Sequence, residues 1–125
     1  MSDLDGVDFE LLSTRPNFEV ADLDRAVAFY LDALGFTLDF RADEFSLAVV
    51  GTETGASIAL NRVSEPQPRS CYLNVRGVDM LAERCKAAGA EFLSPLTTQP
   101  WGMRDFVVVD PDGNAIAVGE RVTPR

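Results

Sequence analysis

At 125 residues the chain is sized for one domain and can bury a core without disulfides or a structural metal. Eleven basic against 20 acidic residues give a net charge of −9, which excludes a phosphate-backbone partner such as nucleic acid. No apolar run approaches the length of a membrane span, and there is no histidine, so the commonest metal ligand and general base are both missing. The acidic start "MSDLDGVDFE" lacks the basic-then-apolar pattern of a secretory leader, and a cytoplasmic location is expected. Cys71 and Cys85 have no metal-ligand spacing and are expected as small core hydrophobes.

The first strong element is "DLDRAVAFYLDALGF" (22–36), where Leu23, Ala26, Val27, Tyr30 and Leu34 share one helical face. Asp22 is placed as its N-cap and Gly35 as the left-handed residue that stops it. "FTLDFRA" then alternates as a half-buried strand, which puts Phe40 with Phe36 and Leu38 on the core side. Segments 45–51 and 56–62 flank the turn-like "GTETG" as a hairpin, and the proline-bearing "SEPQPRS" (64–70) reads as a linker.

The same order then repeats. "CYLNV" (71–75) is a strand, and 78–90 is a helix closed at Gly89, with Leu81, Cys85 and Ala88 on one face. "EFLSPL" reads as a strand broken at Pro95, and "RDFVVVDPDGNAIAVGE" as a final hairpin. "GASIAL" and "GNAIAV" correspond, with Gly, Ile and Ala in matching places. The expected fold is α+β: two tandem βαβββ modules forming a curved mixed sheet with helices on its outer face. One domain, 1–125, comprises module 1 (about 8–63), the linker 64–70 and module 2 (about 71–121).

Strand parity lists the face away from the helices: Arg15, Asn17, Glu19, Ser57, Ala59, Asn61, Ser70, Tyr72, Asn74, Ala115 and Ala117. Small residues ringed by hydrogen-bonding groups describe a concave face with room for a ligand. The candidate ligand-binding residues are Arg15, Asn17, Glu19, Ser57, Asn61, Tyr72, Asn74, Trp101 and Arg104. Tyr72 is the stacking candidate. Trp101 serves either the ligand or the core, and Arg104 either a ligand or an acid near the hairpin. Glu19, Asp39, Asp43 and Glu44 would attract positive charge, unless Glu19 pairs with Arg15.

"VADLDRAVAFYLDALGF" and "RDFVVVDPDGNAIAV", set in this repeat order, resemble the vicinal oxygen chelate superfamily, which includes glyoxalase I, extradiol dioxygenases, fosfomycin resistance enzymes and bleomycin-binding proteins. In its metal-using members one ligand projects from each equivalent strand. By register those positions are Arg15, seven residues before Asp22, with Ala59, Ser70 and Ala117. A guanidinium, two methyls and a lone hydroxyl make no metal site, so no cofactor is expected, and the isomerase and ring-cleavage activities do not carry over.

Pro16, "FTLDFRADEF" and "RDFVVVDPDGN" also echo the metal-free bleomycin-binding proteins. That resemblance implies a cytoplasmic homodimer, without nucleic acid or membrane as partner, sequestering an aromatic or cationic compound such as an antibiotic in a groove between subunits. The alternative is an enzyme of the same superfamily (lyase, isomerase or dioxygenase-like) with a non-standard or absent metal site. A protein-docking accessory subunit is the third class; it calls for large apolar residues on the open face, and parity places few there.

Overall fold

The computed structural model describes Gly6 and residues 8–122. Eight strands and two long helices run in the order β1 (Asn17–Val20), α1 (Leu23–Asp32), β2 (Thr37–Ala42), β3 (Leu47–Gly51), β4 (Ser57–Arg62), β5 (Ser70–Asn74), α2 (Val78–Ala87), β6 (Glu91–Thr98), β7 (Met103–Val109) and β8 (Ala115–Arg121), with one 3-10 turn at Asp43–Phe45. The repeat is therefore βαβββ twice. The strands divide into two four-stranded sheets, ordered β1-β4-β3-β2 and β5-β8-β7-β6. Each sheet is mixed: β1 pairs parallel with β4, and β5 with β8, while the remaining pairs are antiparallel.

Alternation explains what each sheet buries. Phe18, Val20, Ile58, Leu60, Ile116 and Val118 are all 1% exposed or less. They share one buried cluster with the apolar stripe of α1 formed by Leu23, Ala26, Val27 and Tyr30, α1 packing on β2–β4 and α2 on β6–β8. Val78, Ala82 and Cys85 of α2 join the same cluster, so one continuous core spans both modules. Asp22 caps α1, its Oδ1 accepting from Arg25 N at 3.0 Å, and Gly35 leaves the helix at φ 75°. At its start α2 has Gly77, which offers no capping side chain. Glu120 reaches in from β8 instead, its Oε1 accepting from Gly77 N and Val78 N, both at 3.0 Å.

The modules are stitched by the turn before β8. Asp110 and Asn114 are 4% and 0% exposed. Asp110 accepts from Tyr30 Oη at 2.8 Å, from Asn114 Nδ2 at 2.9 Å, and from the main-chain N–H of Asp112 and Asn114. Asn114 donates onward to Glu19 O at 3.1 Å and accepts from Arg69 N at 2.8 Å. Asp112 Oδ1 accepts from Ala21 N and from Arg25 Nη2 at the positive end of α1. From the other side, Arg84 of α2 donates to Leu31 O and Asp32 O at the negative end of α1.

Two strand expectations are corrected. Phe40 does not join the core: the β2–β3 register shifts between Leu38 and Phe40, so Phe40 falls opposite Val49 on the open face and is 51% exposed. Pro95 does not break its strand either. It sits inside β6, the edge strand of the second sheet, where the register shift between Ser94 and Thr97 accommodates a residue without an N–H. The linker ends one residue earlier than expected, because Ser70 already pairs with Ala115. It is also tied down, through Gln67 N to Glu19 and Arg69 N to Asn114.

Replacing Tyr30 with Phe removes one donor from a buried carboxylate and should destabilise the fold by about 1–3 kcal/mol, measured by denaturant unfolding. Glu120→Ala, which uncaps α2, should cost about 1 kcal/mol in the same assay.

Candidate ligand-binding faces

The open face of the first sheet is assembled from Arg15, Asn17, Glu19, Ser57, Ala59 and Asn61, with Phe40 added by the bulge in β2. Its polar groups are largely engaged with one another. Arg15 Nε donates to Ser57 Oγ at 3.0 Å, and Asn61 Nδ2 donates to Asn17 Oδ1 and Phe18 O, both at 3.3 Å. Glu19 pairs with Arg69 at 3.1 Å, not with Arg15. Ala59 is only 4% exposed, so this sheet offers little open floor at that position. Asp43 is likewise committed: Arg41 lies 2.6 Å away and holds its carboxyl below the usual range.

The second sheet has a different character. Ser70, Tyr72 and Asn74 of β5 stand opposite Ala115, Ala117 and Gly119 of β8, and Val109, Val107 and Asp105 of β7 continue these rows. Tyr72 is 44% exposed, and its Oη donates to Asp105 Oδ2 at 3.2 Å. Burial foremost, then this hydrogen bond and the Asp105 charge, raise the phenol above its ordinary value. Trp101 is 64% exposed on the β6–β7 loop, so it does not cap the core.

Arg104 is not brought together with the others. Its parity is that of Phe106 and Val108, toward the helices, where it pairs with Asp79 of α2 at 2.8 Å and donates to Thr98 at 2.9 Å. Asp105 and Gln99 are the site residues the sequence reading missed. The strict alternation of buried Phe106 and Val108 was the signal for Asp105, since it assigns the residue between Arg104 and Phe106 to the open face.

A groove of about 750 Å³ lies beside these faces, along the free edge of β5. Leu34, Phe36 and Leu81 contribute apolar wall, and of the expected ligand-binding residues Ser57, Tyr72 and Asn74 line it.

Residues 17–118 match the family model of the Glyoxalase/Bleomycin resistance protein/Dioxygenase superfamily. The chain belongs to that superfamily. It is similar to a bleomycin resistance protein from Geobacillus stearothermophilus, 30% identical over 135 residues, with 90% of this chain and 98% of the relative covered. A bleomycin resistance protein from Staphylococcus aureus matches to the same extent. Among solved structures, TioX from Micromonospora sp. ML1 superposes with a TM-score of 0.79 at 26% identity, covering 89% of this chain and 99% of that one. A superfamily member from Sphaerobacter thermophilus DSM 20745 has a TM-score of 0.77 at 24% identity, covers 90% of this chain and 98% of its own, and shares the fold.

The superfamily's metal does not fit the residues present here. Arg15 brings a positive charge already bonded to Ser57, Ala59 and Ala117 bring no donor, and Ser70 brings a single hydroxyl. Among the described residues no three His, Cys, Asp or Glu side chains are grouped to hold an ion. No helix among them is long and apolar enough to cross a membrane.

Both thiols face the core side, and burial pushes Cys71 and Cys85 up to about 11. A thiol whose folded value is raised stabilises fully below its unfolded value near 9, and that contribution is lost as pH rises toward 11. Stability from denaturant titrations should therefore be level between pH 7 and about 8.5 and fall by pH 10.5, and thiol labelling of the folded protein at pH 8 should be slow.

Proposed function

We propose that the protein is a metal-free small-molecule-binding member of its superfamily, one that sequesters an aromatic or cationic compound, such as an antibiotic, in a groove between two copies of the chain. The observation that carries this reading is the chemistry of Arg15, Ala59, Ser70 and Ala117, the four positions that the resemblance, by register, assigns to metal ligands, on faces that carry an exposed aromatic ring. A face that has lost its Lewis acid but kept a stacking surface is equipped to hold a compound, with nothing left at those positions to polarise it. Similarity to bleomycin resistance proteins along nearly the whole length of both chains supports the ligand class.

Exposed Phe40 on the open face of the first sheet and Tyr72 on that of the second support a role for a second copy, whose contact would turn open sheet faces into a groove. The net charge of −9 favours a cationic ligand over an anionic one.

Calorimetry against metal-free bleomycin, run beside light scattering and elemental metal analysis of the purified chain, tests the proposal. A dimeric mass, no stoichiometric metal and saturable binding are expected. Absence of heat at millimolar ligand would sink the antibiotic class, and a stoichiometric metal would restore the enzymatic alternative.

A further inference from the structure

Tyr72 does not stand off the second sheet but reaches along it. From β5 its side chain passes over Gly119 of β8, and its hydroxyl meets Asp105 of β7. A Cβ at Gly119 would collide with the tyrosine hydroxyl and ring, so the glycine is what lets the ring lie down. Beside it, Ala117 and Val107 form a low apolar floor.

Asp105 is the centre of this arrangement. Its Oδ2 takes the tyrosine hydroxyl, and its Oδ1 accepts from Gln99 Nε2 at 2.9 Å. Gln99 closes the β6–β7 loop through Gln99 N to Met103 O at 2.7 Å and Gly102 N to Gln99 O at 3.1 Å, and exposed Trp101 rides at the tip of that loop. One carboxylate thus orients the ring and pins the loop that carries the tryptophan. Among the described residues no Lys or Arg lies within ion-pair distance of Asp105. The adjacent Arg104 is turned to the helix face and spent on Asp79.

A tethered π-face, with an anion at its edge that no cation among the described residues neutralises, favours a flat, positively charged group over a neutral one and repels an anionic one. We infer that the open face of the second sheet carries a planar-cation subsite in which Asp105 is the specificity-determining residue. The inference rests on the ligand-binding reading above and adds to it the selecting group and the charge selected.

The probes are 1-methylquinolinium and uncharged quinoline, titrated at pH 8 into the full chain by calorimetry and by fluorescence of Trp101, the single tryptophan in the sequence. The wild type should bind the cation at least about tenfold more tightly than its neutral counterpart, with only the cation's affinity falling as salt rises. Asp105→Asn keeps an acceptor for Tyr72 and presents its amide N–H₂ to Gln99, whose side-chain oxygen can accept it after an amide flip; it should abolish the preference, with circular dichroism still that of a folded protein. Gly119→Ala, by lifting the ring, should weaken both probes.

Equal wild-type affinity for the two probes, a comparison that depends on no variant folding, overturns the inference and leaves the ligand-binding reading standing. A cation preference that survives in a folded Asp105→Asn protein does the same. If neither probe binds the wild type, the inference falls together with the reading that this face takes a ligand.

Discussion

Burial of Asp110 is the constraint around which the two modules are organised. A carboxylate left unpaired at that depth would cost several kcal/mol, so each of its oxygens must find donors. It finds them in Tyr30 from module 1, in Asn114, and in the main chain of its own turn. Those bonds fix the turn, the turn aims Asp112 at the start of α1 and Asn114 at β1, and β1 in turn sets the register of β4. The open faces inherit their alignment from a group that neither of them contains.

The internal repeat is symmetric in its elements but not in this junction. Where module 2 has Asp110 and Asn114, the corresponding turn of module 1 has Thr52 and Ala56, which bond only locally, Ala56 N donating to Thr52 Oγ1 at 3.2 Å. Where α1 has Tyr30, α2 has the smaller Cys85, whose thiol donates to Ala33 O at 3.3 Å. The free edges differ accordingly. Asn17 O and Glu19 O of β1 are met by Arg69 and Asn114, whereas the groove of about 750 Å³ runs along β5. One junction is filled by side chains, and its counterpart is hollow because the side chains that would fill it are short.

The fold was legible because local signals agreed: two Gly-stopped amphipathic helices and alternating strands in a repeated order. Parity correctly separated Phe18, Val20, Ile58, Leu60, Ile116 and Val118 from the open face, since each faces a helix and must be apolar. It failed at Phe40, because a bulge reverses parity without leaving any mark on residue type. At the site, Tyr72 could be assigned to the open face from its neighbours alone. Its tether could not, because the diagonal across Gly119 to Asp105 depends on which strands become neighbours, and sequence spacing does not encode that. The service of Glu120 to α2 likewise needed the topology that brings the end of β8 to Gly77.

In β1, β4, β5 and β8 the residues that hold the scaffold and those that line the open faces alternate within the same short segments, one pointing to the helices and the next away. Neighbouring positions consequently experience unrelated selection: a change at Ile116 is felt by the core, and a change at Ala117 by whatever occupies the face. Such a strand can exchange its lining one alternate residue at a time while the threshold for folding is scarcely approached. The division of each strand into two independent registers gives a single architecture a wide mutational neighbourhood, within which a new chemical preference is a few substitutions away.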